Sequence, residues 1–163
     1  MDFAFLDDNY AASGGTLIML VGPPGSGKST FAEDLVTKIS NYIIVSPDKI
    51  REELLGDATI QAHNDKVFGK VYSDIIKYLD EGYNVIYDAT NCRTPYRAKI
   101  LDVAQEHTYR NICLISTATL NECFKHNESR DKKVPEEVIE RMYFTLRKHP
   151  PTIFEGFDLI GKF

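Results

Sequence analysis

The chain has 163 residues, 43% of them hydrophobic, and a formal net charge of -5. That is one domain's length with enough apolar material for a single packed core. The acidic balance excludes a broad electropositive face of the kind that grips long nucleic acid by counterion release, and leaves room only for a local basic channel.

Cys92, Cys113 and Cys123 are odd in number and show no C-x-x-C spacing, so neither a disulfide framework nor a zinc site is expected, which fits reduced, cytoplasmic conditions. The most apolar run, TLIMLVG, is too short to span a bilayer, and the acidic opening MDFAFLDDNY is unlike a basic signal peptide; no membrane association is expected.

Residues 1–15 lack periodicity and end in Ser13-Gly14-Gly15, the pattern of a flexible leader ahead of one domain, 16–163. TLIML then predicts a fully buried strand closed by a glycine-rich turn. A helix is expected from Lys28 to Ile39, and YIIV makes a second buried strand, completing a parallel crossover unit. A third element, opening near Pro47, carries Asp48 and Arg51 one turn apart.

From Asp65 to Asp80 the apolar stripe Val67, Val71, Ile75 and Leu79 predicts a helix packed on the sheet, with Gly82 placed as its C-terminal stop. YNVIYDATN is the third strand. Thr94-Pro95 predicts an N-cap and first-turn proline for a helix to about His107. NICLIS is the fourth strand, Thr119 with Glu122 resembles a capping box, and Pro135 opens a last long helix. Strands alternating with helices predict a three-layer α/β fold with a mostly parallel sheet, whose ligand site lies beyond the strand C-termini.

The strongest motif is Gly22-Pro23-Pro24-Gly25-Ser26-Gly27-Lys28-Ser29, followed by Thr30, which fits G-x-x-x-x-G-K-[ST] between a buried strand and a helix. Its glycines let backbone N–H groups converge on phosphate oxygens, and the helix N-terminus adds its positive end. Lys28 is placed to reach the β- and γ-phosphates of ATP, and the Ser29 hydroxyl to ligate Mg²⁺.

Asp48 follows the second strand by three residues and so projects from the same edge of the sheet. A carboxylate there suits the proton of an attacking hydroxyl, and the planar guanidinium of Arg51 suits an acceptor phosphate. The plainer alternative is that Asp48 favours a helix N-terminus and Arg51 solvates its surface. Tyr42, Tyr72, Tyr78, Tyr83 and Tyr87 could stack on bases, though tyrosines at such positions are more often core. His63, His107 and His149 show no metal-ligand spacing.

These motifs in this order resemble the P-loop polynucleotide kinases: GPPGSGKST for the phosphate loop, SPDKIR on the acceptor side, YDATN at the third strand end, CFKHNESRDKKVP for a lid and VIERMYFTL for the following helix. The resemblance runs from about Thr16 to Asp158. It implies a P-loop kinase fold with a helical lid that moves the γ-phosphate of ATP, with Mg²⁺, to the 5′-hydroxyl end of DNA or RNA. It further implies Lys28, Asp48 and Arg130 as catalytic residues, with Asp48 the general base and Arg130 on the ATP phosphates.

By the same resemblance, Arg51 contacts the acceptor phosphate and Asp88 belongs to the acceptor side; capping with Asn91 is the alternative for Asp88. The sequence departs from the family where His126, beside Lys125, occupies the earlier lid-arginine position. No fused phosphatase or adenylyltransferase segment is seen. Two other functions use the same scaffold, a kinase of a small metabolite or nucleotide and an ATP-dependent switch or ATPase.

Overall fold

The computed structural model of the chain describes Leu6 and residues 15–163. The expected flexible leader therefore falls outside the described residues, apart from Leu6, which is buried in the core, and Gly15. The strands are β1 (Thr16–Val21), β2 (Tyr42–Val45), β3 (Asn84–Asp88), β4 (Arg110–Ile115) and β5 (Leu159–Lys162). The helices are α1 (Lys28–Lys38), α2 (Pro47–Leu55), α3 (Asn64–Asp80), α4 (Thr94–Ala104), α5 (Leu120–Glu128) and α6 (Glu136–Lys148). All pairings are parallel, in the order β2-β3-β1-β4-β5, so β1 is the central strand.

β1 is buried at every position. Its side chains alternate: Leu17, Met19 and Val21 enter one core, and Ile18 and Leu20 the other. A strand covered on both faces needs apolar residues at every position, which is why TLIMLV reads as a continuous run. Ala32 and Leu35 of α1 cover one face. Val67, Val71, Ile75 and Leu79 of α3, with Ile100 and Leu101 of α4 and Leu146 of α6, cover the other. The expected three-layer α/β fold is the fold observed.

Local chemistry sets most boundaries. Ser46 caps α2 by accepting from the Lys49 N–H at 3.5 Å, with Pro47 in the first turn. Thr119 and Glu122 form the expected capping box on α5. Thr94 is not the N-cap of α4; Arg93 holds that position without a side-chain cap, because the Thr94 hydroxyl accepts from Arg97 instead, at 3.1 Å.

The pattern predicts four strands, and β5 is the fifth. Its four residues LIGK carry no clear two-residue alternation, and its tertiary contacts create it. Gly161 packs where a Cβ would press on Leu114, and the following Phe163 stacks on Phe31 of α1 with centroids 4.1 Å apart.

The C-terminal segment is pinned by Arg97, which is 0% exposed. Its Nε and Nη2 donate to the Glu155 carboxylate at 2.7 and 2.8 Å, Nη1 donates to the Asn91 carbonyl at 3.0 Å, and Nη2 also reaches the His149 carbonyl at 3.1 Å. A buried charge without its partner is far costlier than the same pair intact. Glu155→Ala is therefore expected to lower the unfolding free energy by about 3–5 kcal/mol, read as a shift of the urea midpoint at unchanged m-value.

Candidate active site

The loop after β1 is a nest built on its own backbone. Gly25 and Gly27 adopt φ of +78° and +87°, and the Ser26 N–H donates to the Pro23 carbonyl at 3.2 Å. Lys28, buried at the first position of α1, folds back so that Nζ donates to the Pro23 carbonyl at 3.0 Å and the Ser26 hydroxyl at 3.2 Å. Burial pushes the Lys28 ammonium below its ordinary pKa, while the neighbouring Asp88 acts in the opposite direction. The Gly22 N–H donates to the Thr90 carbonyl at 2.9 Å, and the Ser116 hydroxyl to the Ser26 carbonyl at 2.8 Å, so the loop is tied to the ends of both flanking strands.

A cavity of about 900 Å³ opens over this loop. It is lined by Pro24, Gly25, Gly27, Lys28, Ser29 and Thr30, by Asp48 and Asp88, and by His126, Ser129, Arg130 and Val134. Most of the expected residues therefore meet in one place. Gly22, Pro23 and Ser26 stand behind the loop as its support, and Arg51 is not among the lining residues.

The lid closes one side. α5 rests directly on the phosphate loop, since a Cβ at Gly25 would collide with the Cys123 carbonyl. His126 Nδ1 donates to the Gly25 carbonyl at 2.9 Å. The histidine is thus spent, at least on one nitrogen, in docking the lid helix. The Asn127 side chain closes the lid loop, donating to the Val134 carbonyl at 2.8 Å and accepting from the Val134 N–H at 2.9 Å. Lys132 reaches across to Asp57, between α2 and α3, at 2.6 Å, and this hydrogen bond holds the Asp57 carboxyl below its usual range. The Arg130 guanidinium faces the cavity and makes no hydrogen bond or ion pair with the described residues.

Asp48 stands on the opposite side, its side chain 68% exposed, and accepts from Arg51 Nη1 at 3.0 Å. Arg51 is buried between α2 and α3, where Nη2 also donates to the Asn64 side chain at 3.1 Å and Nε has no partner. The guanidinium is buried and holds the Asp48 carboxylate, rather than solvating a surface. Asp88, expected on the acceptor side, accepts from the Ser29 hydroxyl at 2.7 Å. It is not paired with Asn91, whose amide donates to the carbonyls of Leu20 at 2.7 Å and Ala89 at 3.3 Å.

Ser29 and Asp88 offer two hard oxygens beside Lys28, and among the described residues no cluster of three His, Cys, Asp or Glu side chains could form a closed metal cage. That donor set fits Mg²⁺, which retains waters and shares its shell with substrate phosphates. Ser116, Asn127 and the Lys132–Asp57 pair are the contributors that residue patterns left unnoticed. Each acts through a partner 7 to 90 residues away, so no local spacing marks it. Asn91 had a signal in its place in YDATN, and Asn127 and Lys132 in theirs in CFKHNESRDKKVP, but neither motif names the partner.

The fold and the site together define a P-loop kinase domain. A family model described as an AAA domain, AAA_33, matches residues 17–149, and the chain belongs to that family. It is 30% identical to the L-seryl-tRNA(Sec) kinase of Methanococcus maripaludis over 131 residues, 78% of this chain and 51% of that protein. It is also 30% identical to the bifunctional polynucleotide phosphatase/kinase of Schizosaccharomyces pombe over 146 residues, 86% of this chain and 31% of that protein.

A chain in the structure of the Pnkp1/Rnl/Hen1 RNA repair complex matches with a TM-score of 0.77 at 26% identity, covering 92% of this chain and 48% of that one. The resemblance to polynucleotide kinases holds, and the chain spans about half the length of these relatives or less.

The two loop glycines separate strain from packing. Gly27→Ala meets nothing within 4 Å and should cost only the left-handed backbone penalty of about 1–2 kcal/mol. Gly25→Ala adds a clash with α5, so it should destabilise more and also speed amide exchange in Leu120–Glu128, which Gly27→Ala leaves native; urea titration and hydrogen–deuterium exchange measure the two effects.

Proposed function

We propose that this domain transfers the γ-phosphoryl group of ATP, with Mg²⁺, to a hydroxyl carried on nucleic acid, namely the 5′-hydroxyl end of DNA or RNA. The observation that carries this reading is the shared cavity: an exposed carboxylate, Asp48, opens onto the same space as Lys28, Ser29 and Arg130. A kinase needs such a carboxylate to receive the acceptor's proton.

In this mechanism Lys28 leaves the Pro23 carbonyl for the β- and γ-phosphates, which supply a better acceptor for a buried ammonium. Arg130, without a side-chain partner among the described residues, meets charge developing on the transferred group. Asp48 takes the proton as the hydroxyl oxygen bonds to phosphorus and the bond to the β-phosphate oxygen breaks, releasing ADP. Arg51 fixes the Asp48 carboxylate by the 3.0 Å ion pair.

Ser29, with Asp88 bound to its hydroxyl, would hold Mg²⁺, which neutralises charge on the phosphate oxygens. The docked lid excludes water, the competing nucleophile. The three cysteines are free and buried, which supports a reducing, cytoplasmic setting. Among the described residues no helix is long and apolar enough to cross a membrane.

A second reading is favoured by the relative from Methanococcus maripaludis, whose name places its acceptor hydroxyl on a seryl group attached to tRNA. Both readings put the hydroxyl on nucleic acid and differ in where the label ends. Incubation with γ-labelled ATP, Mg²⁺ and 5′-hydroxyl oligonucleotides should label the 5′ terminus. Asp48→Asn should cut kcat by about 10²- to 10⁴-fold, the usual worth of a positioned base, and Lys28→Ala should abolish transfer. Label found only on seryl-tRNA would establish the second reading, and full activity of Asp48→Asn would remove the assigned base.

A further inference from the structure

We propose that the N-terminal turn of α4, with the facing side of α3, is a stacking track for the nucleotides that follow the acceptor hydroxyl. The inference rests on the polynucleotide reading and names residues that the resemblance did not. Tyr96 is 55% exposed, whereas Ile100, Leu101 and Ala104 of α4 are buried. The Arg93 guanidinium lies over its ring, 5.1 Å from the centroid, and Nη1 donates to the Tyr96 hydroxyl at 3.3 Å. Arg93 has no ion-pair partner among the described residues. One turn on, Lys99 sits 5.6 Å from the Tyr72 ring centroid, and Tyr72 contacts Phe68 at 6.1 Å.

Position favours a nucleic-acid occupant over an ordinary solvated helix face. α4 starts just beyond the end of β3, the strand neighbouring β2, after which Asp48 stands. On α3, Phe68 and Tyr72 follow Asn64 at four-residue steps, and Asn64 is the residue that Arg51 binds while holding Asp48. The track therefore begins on the side of the sheet that carries Asp48 and runs between α3 and α4, both of which lead back from the strand C-termini.

On a chain of net charge -5, cations paired with aromatic rings are matched to a ligand that alternates phosphates with π-faces. Stacking tolerates any base, and the phosphates meet Arg93 and Lys99. Tyr109, 81% exposed at the start of β4 on the opposite edge, has no place on this path and serves as control.

The test is steady-state transfer to a 5′-hydroxyl hexanucleotide and to a 5′-hydroxyl nucleoside 3′-phosphate, each with its KM. Tyr96→Ala should raise the hexanucleotide KM about 5- to 100-fold, the range for one lost base stack. The nucleoside 3′-phosphate KM and the KM for ATP should not move. Tyr96→Phe should restore most of the affinity, Arg93→Gln should weaken it and flatten its salt dependence, and Tyr109→Ala should behave as wild type. A hexanucleotide KM unchanged in Tyr96→Ala overturns the track and leaves the kinase reading intact, whereas failure of the wild type to phosphorylate any oligonucleotide overturns both.

Discussion

Everything at this site depends on how the ends of β1 and β3 are joined once their ladder stops. The Asn91 amide donates to the Leu20 carbonyl at 2.7 Å, and the Gly22 N–H donates to the Thr90 carbonyl at 2.9 Å. These two bonds satisfy backbone groups that a buried strand end would otherwise leave orphaned. They also set the phosphate loop at a fixed offset from Asp88, which is why Ser29 and Asp88 meet at 2.7 Å. Asn91 reaches Leu20 only from a left-handed backbone, φ +51°, a conformation that asparagine tolerates better than most residues.

The same loop is held from behind. Arg97 takes the Asn91 carbonyl, and through Glu155 and the His149 carbonyl it ties the strand-end loop to the end of α6 and the last turn. A fully buried guanidinium is weak support for stability in general, since desolvation offsets most of its pairing energy. Here its use is geometric: the donors of one rigid plane address Asn91, Thr94, His149 and Glu155 at once, which no apolar side chain could do. Rigidity at the strand ends, where the site's hydrogen bonds lie, follows from that arrangement.

The two sides of the cavity are held by unlike devices. On one side α5 is docked by backbone contact at Gly25 and by the His126 hydrogen bond, and its loop is closed by Asn127 and reached from Asp57 by Lys132. On the other Arg51 holds the Asp48 carboxylate. The histidine that replaces a family arginine explains itself in this geometry. The imidazole donates to the Gly25 carbonyl at 2.9 Å, so this position serves to dock the lid helix on the phosphate loop.

The sequence by itself determined the class of fold and the phosphate loop, because both are local. A continuous apolar run on buried strands, a four-residue stripe on α3, and a loop motif between strand and helix are each written in consecutive residues. Asp48, Arg51, Asp88 and Arg130 were also legible as site candidates from their motifs. Only the tertiary structure decided what each of them touches. It paired Asp88 with Ser29 and Arg51 with Asp48, tied Ser116 to the phosphate loop, created β5 from a segment without a continuous apolar run, and left Tyr96 exposed at the start of α4. Such assignments rest on contacts between segments distant in the chain, whose geometry follows from how the layers pack, and no local spacing encodes that distance.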